Sequence, residues 1–305
     1  MSIYISLATL KDEEIINTVN TALHFARNPS NVFIGIAFMT DEHFYFDTLD
    51  KINNLSNVRC KRFDPAINAG VGIGRHNSRF AYNGEDYILQ VDSHTNFEPD
   101  WDISLLKYYE ESLSITNNDK TVLTAYLGKY GLKDGERKVM DSHTRYSFFT
   151  DDDKFYNDVG FTPWQFFPVP DVLGVSTKYL PSNKFNANFA FGNHYFADYS
   201  GLPKSCVFYD EEIIQSINLL GMGFSLVFPN FHLPIQHLYS QHNDQSRETV
   251  GVLFDDVARK MKSNYNDFIN DESNKEKCLK YQDYARYSLK TSKFDAFYIP
   301  DRWDI

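Results

Sequence analysis

The sequence predicts an α/β fold: a Rossmann-like, mostly parallel sheet with helices on both faces, followed by a helical appendage. Three observations predict it. Short β-rich apolar runs alternate with stretches of helical periodicity through the first third of the chain. The fourth such run, "YILQVD" (87–92), is apolar on both faces, as suits a strand covered by helices on both sides. After about residue 245 the composition becomes charged and helix-forming, in "VLFDDVARKMKSNYNDFIN" and "KEKCLKYQDYARYSLK".

In chain order, "IYISLA" (3–8) is the first strand, and Ile15, Ile16, Val19, Ala22, Leu23 and Ala26 recur at helical spacing behind it. "NVFIGIAF" (31–38) is a second strand, "FYFDTLDKINNL" a helix, "VRCKRF" a third strand and "NSRFAYNG" a second helical piece before "YILQVD". "WDISLLKYYEESL" then reads as a helix and "TVLTAYLG" as a strand. Residues 131–172 are aromatic and Pro-containing, which suits a loop or flap over a site. "DEEIIQSINLLG" (210–221) is a helix with acids in its first turn and Gly221 at its end. The division expected is one α/β domain over 1–244 and a helical appendage over 245–305.

Composition narrows the function classes. The chain has 305 residues, 42% of them hydrophobic and 16% aromatic, which is enough to fold around a sizeable core. A net charge of -11 argues against a generic polyanion binder, whose affinity comes from Lys and Arg displacing phosphate counterions. Cys60, Cys206 and Cys278 are too scattered for a zinc site or a disulfide framework, so a reducing compartment is expected. No signal peptide and no run of the ~20 apolar residues of a membrane span is visible, and the expected location is cytoplasmic.

Four stretches can carry chemistry. In an open α/β sheet, ligands bind beyond the carboxyl ends of the strands, and Asp92 sits at such an end. Residues two apart in extended chain share a side, so Asp92 and His94 can face one point. A carboxylate with an imidazole suits Mn²⁺ or a similar borderline cation better than Mg²⁺. Equally, Asp92 can cap the following turn and His94 can be a surface residue. "AGVGIGRHNSR" (69–79) imitates a dinucleotide fingerprint, but Arg75 stands at the third glycine, and a phosphate-binding arginine and a plain surface loop both fit. His232, His237 and His242 cluster in "FPNFHLPIQHLYSQHN", where one of them can complete a site begun at Asp92, or all three can be structural. Asp210, Glu211 and Glu212 are candidate catalytic acids, although a helix start favours acids in any protein.

The order of these pieces resembles a known family. "IYISLATLKDEEIINTVNTALHFARNPSNVFIGI" is similar to an opening in which a strand runs into S-Y-R-D and a helix. "GVGIGRHNSRFAYNGEDYILQVDSHTNFEPDWD" resembles a block of the form G-P-x-x-A-R, then G-E-x-Y-x-L-Q-x-D-S-H and a closing W-D. "FYDEEIIQSINLLGMGFSLVFP" resembles a G-E-E helix with its turn and strand, and "PIQHLYS" a late H-x-Y segment. These belong to the Skp1-type polypeptide N-acetylglucosaminyltransferases, relatives of the polypeptide GalNAc-transferases. Here Val71 and Gly74 replace the Pro and Ala of the block, Leu10 and Lys11 the Tyr-Arg of the opening, and Asp210 the Gly of G-E-E.

The resemblance, over residues 1–242, implies a GT-A glycosyltransferase fold and retaining, metal-dependent transfer of GlcNAc or another hexose from a UDP-sugar to a hydroxyl. It implies Mn²⁺, or another divalent cation, on Asp92, His94 and His237. It implies donor contacts from Arg75, Asp92 and the backbone of Leu7, Ala8 and Thr9, with Glu211 or Glu212 orienting the acceptor or steadying developing charge. The acceptor expected is a hydroxyl on a protein, a glycan or a modified nucleobase. A nucleotidyltransferase also uses a strand-end acid and a metal but favours clustered carboxylates. A non-catalytic nucleotide-sugar- or carbohydrate-binding module is the other alternative.

Overall fold

The computed structural model describes residues 1–52, 55–64, 70–133, 136–141, 143–144, 146–147, 166–167, 178–199, 204–208, 210–238 and 254–281. The chain opens with β1 (Ile3–Thr9), α1 (Ile15–His24), β2 (Val32–Met39), α2 (Glu42–Ile52), β3 (Val58–Phe63) and α3 (Val71–Asn77). β4 (Tyr87–Val91) and β5 (Thr95–Phe97) follow, then α4 (Trp101–Thr116), β6 (Thr121–Thr124), β7 (Gly128–Lys133) and β8 (Glu136–Asp141). β9 (Tyr146–Ser147) pairs with β10 (Phe166–Phe167). β11 (Tyr179–Pro181), β12 (Phe189–Asn193), α5 (His194–Asp198), α6 (Asp210–Gly221), β13 (Ser225–Pro229) and β14 (Ile235–Leu238) complete the sheets, and α7 (Phe254–Asn270) comes last among the named elements.

Eight strands form the central sheet in the order β11-β13-β6-β12-β4-β1-β2-β3. β3, β2, β1 and β4 run parallel, as do β13 and β6, whereas β12 is antiparallel to both of its neighbours and β11 to β13. Four of the five residues of β4 are buried, which explains its unbroken apolar character. A second sheet, β5-β14-β7-β8, stands beside the carboxyl end of β4.

The expected strand over "TVLTAYLG" divides between these sheets: it ends at Thr124, and Gly128 begins β7. The expected loop at 131–172 starts instead as a regular hairpin, because β7 and β8 pair with each other and β7 pairs in parallel with β14. Residues 148–165 and 168–177 of that stretch lie outside the described residues.

The helical piece expected over "NSRFAYNG" lies nearly two turns earlier, at Val71–Asn77, and Ser78–Ala81 leave the helix in turns. Gly70, at φ 101°, supplies the left-handed entry that an L side chain resists. The helix end docks on β1, where Tyr4 donates a 2.6 Å hydrogen bond to the Ser78 carbonyl and Ser6 Oγ lies 2.6 Å from Ser78 Oγ. Gly35 on β2 makes room for this contact, since a Cβ there would lie 1.7 Å from the Tyr4 hydroxyl oxygen.

α1 and α4 lock together at their ends. Trp101, fully buried, donates its indole N–H to the Ala22 carbonyl at 2.8 Å. Asp102, 3% exposed, accepts the backbone N–H groups of Arg27 and Asn28 at 2.8 and 2.9 Å. The C-terminal helix α7 packs on α6 and buries Met261 and Phe268. Asn264 of α7 donates to the Ser205 carbonyl and to Asp210 Oδ2.

Replacing Asp102 by Ala removes the acceptor of two part-buried N–H groups and should lower stability by about 1–2 kcal/mol, measured as a fall in the urea midpoint at unchanged m-value.

Candidate active site and metal centre

β4 ends at Val91, and the next residues leave the sheet at its carboxyl edge. The short loop from Asp92 to β5 is held rigidly. Thr18 on α1 donates its hydroxyl to the Ser93 and Thr95 carbonyls at 2.7 and 2.8 Å and accepts the Thr95 N–H at 2.9 Å. β14 pairs antiparallel with β5, placing His237 opposite Thr95. Asp92 and His94 therefore meet His237 from across 145 residues of chain, with His237 Nε2 2.9 Å from Asp92 Oδ2. One ligand atom from each of the three lies within 4.8 Å of the others, and the two imidazole rings meet edge to face at 4.5 Å.

Behind Asp92 lies a buried cluster of charges. Arg75 is 5% exposed and directs Nη1 to the Val91 carbonyl (2.9 Å) and Nη2 to Asp92 Oδ1 and the Ala187 carbonyl, the latter at 3.0 Å. Its Nε lies 3.7 Å from Glu211 Oε2. Glu212 accepts the Ala187 N–H at 3.0 Å and faces the ammonium of Lys184 at 3.1 Å. The Lys184 side chain is fully buried, with Nζ 5.1 Å from the Tyr126 ring centroid.

Electrostatics divides these acids. Burial opposes the charge on Asp92, but Arg75 and then His237 outweigh it, so its pKa is lowered and it stays ionised. Glu211 lacks such compensation: burial pushes its carboxyl up to about 8, against the pull of Arg75, and it is largely protonated at neutral pH. Its Oε2, buried, makes no hydrogen bond. Glu212 is also raised by burial, which in turn lowers its partner Lys184 to about 8. His237 is lowered by burial and by His94, so it favours the neutral, ligating form.

The sequence-predicted residues thus fall into groups. Asp92, His94 and His237 come together, with Arg75 against Asp92 and Glu211 against Arg75. Leu7, Ala8 and Thr9 end β1, the parallel neighbour of β4; Thr9 Oγ1 is buried and has no hydrogen-bond partner among the described residues. Asp210 holds its own loop, accepting the Val207 and Phe208 N–H groups and the Asn264 amide. His232 pairs with Glu98 at 2.7 Å, apart from the Asp92 group, and His242 lies outside the described residues.

Two participants were not foreseen. Lys184, in "PSNKFNANF", carries no sequence signal of burial. Asp12 touches His94; it stands at the Asp of the S-Y-R-D opening, but nothing in the loop pointed it at a histidine 82 residues on.

The donor set fits a borderline divalent cation, since one carboxylate and two imidazoles offer mixed oxygen and nitrogen ligands at one point. With Asp12, Asp92, Glu211 and Glu212 set against Arg75 and Lys184, the surroundings carry more acid than base.

The mostly parallel sheet with helices packed on it, and the second small sheet beside the carboxyl end of β4, make up a GT-A fold. In the crystal structure of GalNAc-T7 with UDP, GalNAc and Mn²⁺, the same fold recurs at 13% identity and a TM-score of 0.56. That match covers 96% of this chain, which spans 58% of the GalNAc-T7 chain. Two structures of S. aureus TarS 1-349 are more distant. One matches at 11% identity and TM-score 0.46, covering 100% of this chain and 82% of that one. The other, in complex with UDP, matches at 10% and 0.47, covering 88% and 72%. No curated protein matches in sequence. The sequence model described as glycosyltransferase (GlcNAc) matches residues 38–250, and the chain belongs to that family. The chain thus carries a glycosyltransferase domain over those residues.

A pH test follows from Glu211. Its folded pKa, about 8, exceeds the unfolded value of about 4.3, so the stability it contributes is complete below that lower value and is lost as pH rises to about 8. With metal chelated, Glu211→Gln should therefore gain stability relative to wild type across that window, and urea midpoints at its two ends measure the gain.

Proposed function

We propose that the protein transfers a hexose or N-acetylhexosamine from a UDP-sugar to a hydroxyl acceptor, with retention at the anomeric carbon and dependence on a divalent cation, Mn²⁺ or a similar ion. The observation that carries this reading is the convergence of Asp92, His94 and His237 at the carboxyl edge of the sheet, in a chain of the GlcNAc glycosyltransferase family. The UDP and Mn²⁺ of the GalNAc-T7 structure support the choice of donor and ion.

Asp92, His94 and His237 would hold the cation, whose chemistry is to neutralise the charge that builds on the leaving diphosphate. Arg75 donates to Val91, Ala187 and Asp92, so it would orient Asp92 and keep it ionised while lending positive charge to the donor side of the site. The ends of β1 at Leu7, Ala8 and Thr9 would receive the nucleoside, and the orphan Thr9 hydroxyl offers it one hydrogen bond. Neutral Glu211, with an unused carboxyl oxygen beside Arg75, would meet a hydroxyl of the sugar or acceptor. Glu212 fixes the Ala187 backbone through its pairing with Lys184, and Asp210 serves the loop before α6.

Retention would follow from attack of the acceptor oxygen on the face that the diphosphate leaves. The new C–O bond forms as the sugar–phosphate bond breaks, and the acceptor proton passes to the departing phosphate oxygen. No carboxylate nucleophile is needed. The block from Gly70 to Asp102 supports the Skp1-type branch of the family, with a protein hydroxyl as the acceptor ahead of a glycan or a modified nucleobase. Residues 245–305 would form the appendage, clamping α6 through Asn264. Three unpaired cysteines support a cytoplasmic setting, and no helix among the described residues is long and apolar enough to cross a membrane.

UDP release from a panel of UDP-sugars, with and without Mn²⁺, tests the proposal. Activity should require the ion and fall by about 100-fold or more in Asp92→Ala and in His237→Ala. Turnover that is indifferent to chelator, or unchanged in both variants, overturns the proposed site.

A further inference from the structure

Asp12 lies in the loop between β1 and α1, yet its carboxylate reaches the metal-site loop 82 residues away. Oδ2 lies 2.6 Å from His94 Nδ1 and accepts the Ser93 hydroxyl at 2.7 Å, while Oδ1 accepts the Glu14 N–H at 3.0 Å. Both oxygens are therefore engaged, and the carboxylate cannot swing away without breaking three contacts. The side chain is 21% exposed and that of His94 is 15% exposed, so solvent competes weakly for either group.

A neutral imidazole carries its proton on one nitrogen only, and the carboxylate at Nδ1 claims it, leaving the Nε2 lone pair as the ligand atom. A carboxylate on the far nitrogen of a ligating histidine fixes ring orientation and raises its basicity. The same short segment also steadies the other histidine. Glu14 makes a two-pronged pair with Arg137 of β8, at 3.1 and 2.7 Å, and accepts the Tyr130 hydroxyl of β7 at 3.1 Å. β7 is the strand beside His237, which lies opposite Lys129. Lys11, at φ 49°, holds the turn in the left-handed region that brings Asp12 to His94.

We propose that Asp12 is a positioning residue: it holds His94 in the Nδ1–H tautomer with Nε2 presented beside Asp92 and His237, and so sets the affinity of that group for a divalent cation. The cation part rests on the function proposed above; the tautomer part does not.

Two measurements on the full chain test it, neither of them an activity. The first is ¹⁵N NMR of the His94 ring in metal-free protein at alkaline pH. Wild type should show a protonated Nδ1 and an unprotonated Nε2, and Asp12→Ala should relax toward the Nε2–H form that free imidazole side chains prefer. The second is calorimetric titration with Mn²⁺ alone, in which Asp12→Ala should bind about 10–100-fold more weakly. Asp12→Asn keeps an oxygen that can accept the Nδ1 proton, guards against a folding defect in the alanine variant, and should fall between the two.

An Nε2–H ring in wild type overturns the inference, as does unchanged Mn²⁺ affinity in both variants. If the tautomer responds as stated but wild type binds no Mn²⁺, the hold of Asp12 on the ring is upheld, and the metal reading of the function is overturned instead.

Discussion

The contact between Arg75 and Asp92 is the constraint on which the rest of the site depends. A carboxylate only 26% exposed loses much of its hydration, and burial without a cation beside it favours protonation. A protonated Asp92 would be a poor ligand. Arg75 prevents this, and it can do so only because its remaining donors reach the Val91 and Ala187 carbonyls, which pin the guanidinium between β4 and the segment leading into β12. Removing one member of such a buried pair typically costs about 3–5 kcal/mol, because the other charge is left uncompensated. The antiparallel insertion of β12 next to β4 thereby acquires a purpose: it brings the Ala187 carbonyl within reach of Arg75 and Gln90.

The acids at the start of α6 show how one sequence signal covers three physical situations. Asp210, Glu211 and Glu212 are consecutive and all fully or nearly buried. Asp210 is satisfied by backbone N–H groups and Asn264, Glu212 by Lys184 and Ala187, and Glu211 by little besides a longer contact with Arg75. A helix start explains why acids occur there, but not which of them is left under-solvated. That depends on distant partners: Asn264 for Asp210, Lys184 and Ala187 for Glu212, and Arg75 for Glu211.

What was legible in the chain follows the same division. The strands β1, β2 and β4 and the helix α6 were readable because their period and apolar content are local properties. The strand-end placement of Asp92 was also readable, but His94 comes beside it through a bend pinned by Thr18 and not through the alternation of extended chain. α3 was misplaced by nearly two turns because its glycines are poor helix formers and its entry depends on the left-handed Gly70. The β7–β8 hairpin, written as "GKYGLKDGERKVMD", has charged and glycine residues where a strand pattern wants alternation. Its pairing with β14 supplies what the local pattern lacks. Asp12 and Lys184 were invisible as partners because their contacts are made only after folding.

The residues that would hold the cation come from different sheets, and this has a mechanical consequence. Asp92 and His94 leave the large sheet, whereas His237 rides on a strand of the small one, 145 residues further on. An ion gripped by all three would act as a reversible cross-link between the layers, closing a loop whose entropy grows only slowly with its length. Part of its binding free energy would then appear as cohesion of the small sheet and its hairpin, rising by mass action with ion concentration. The spread of the ligands over two sheets would thereby make the ion a structural strut as well as a reagent.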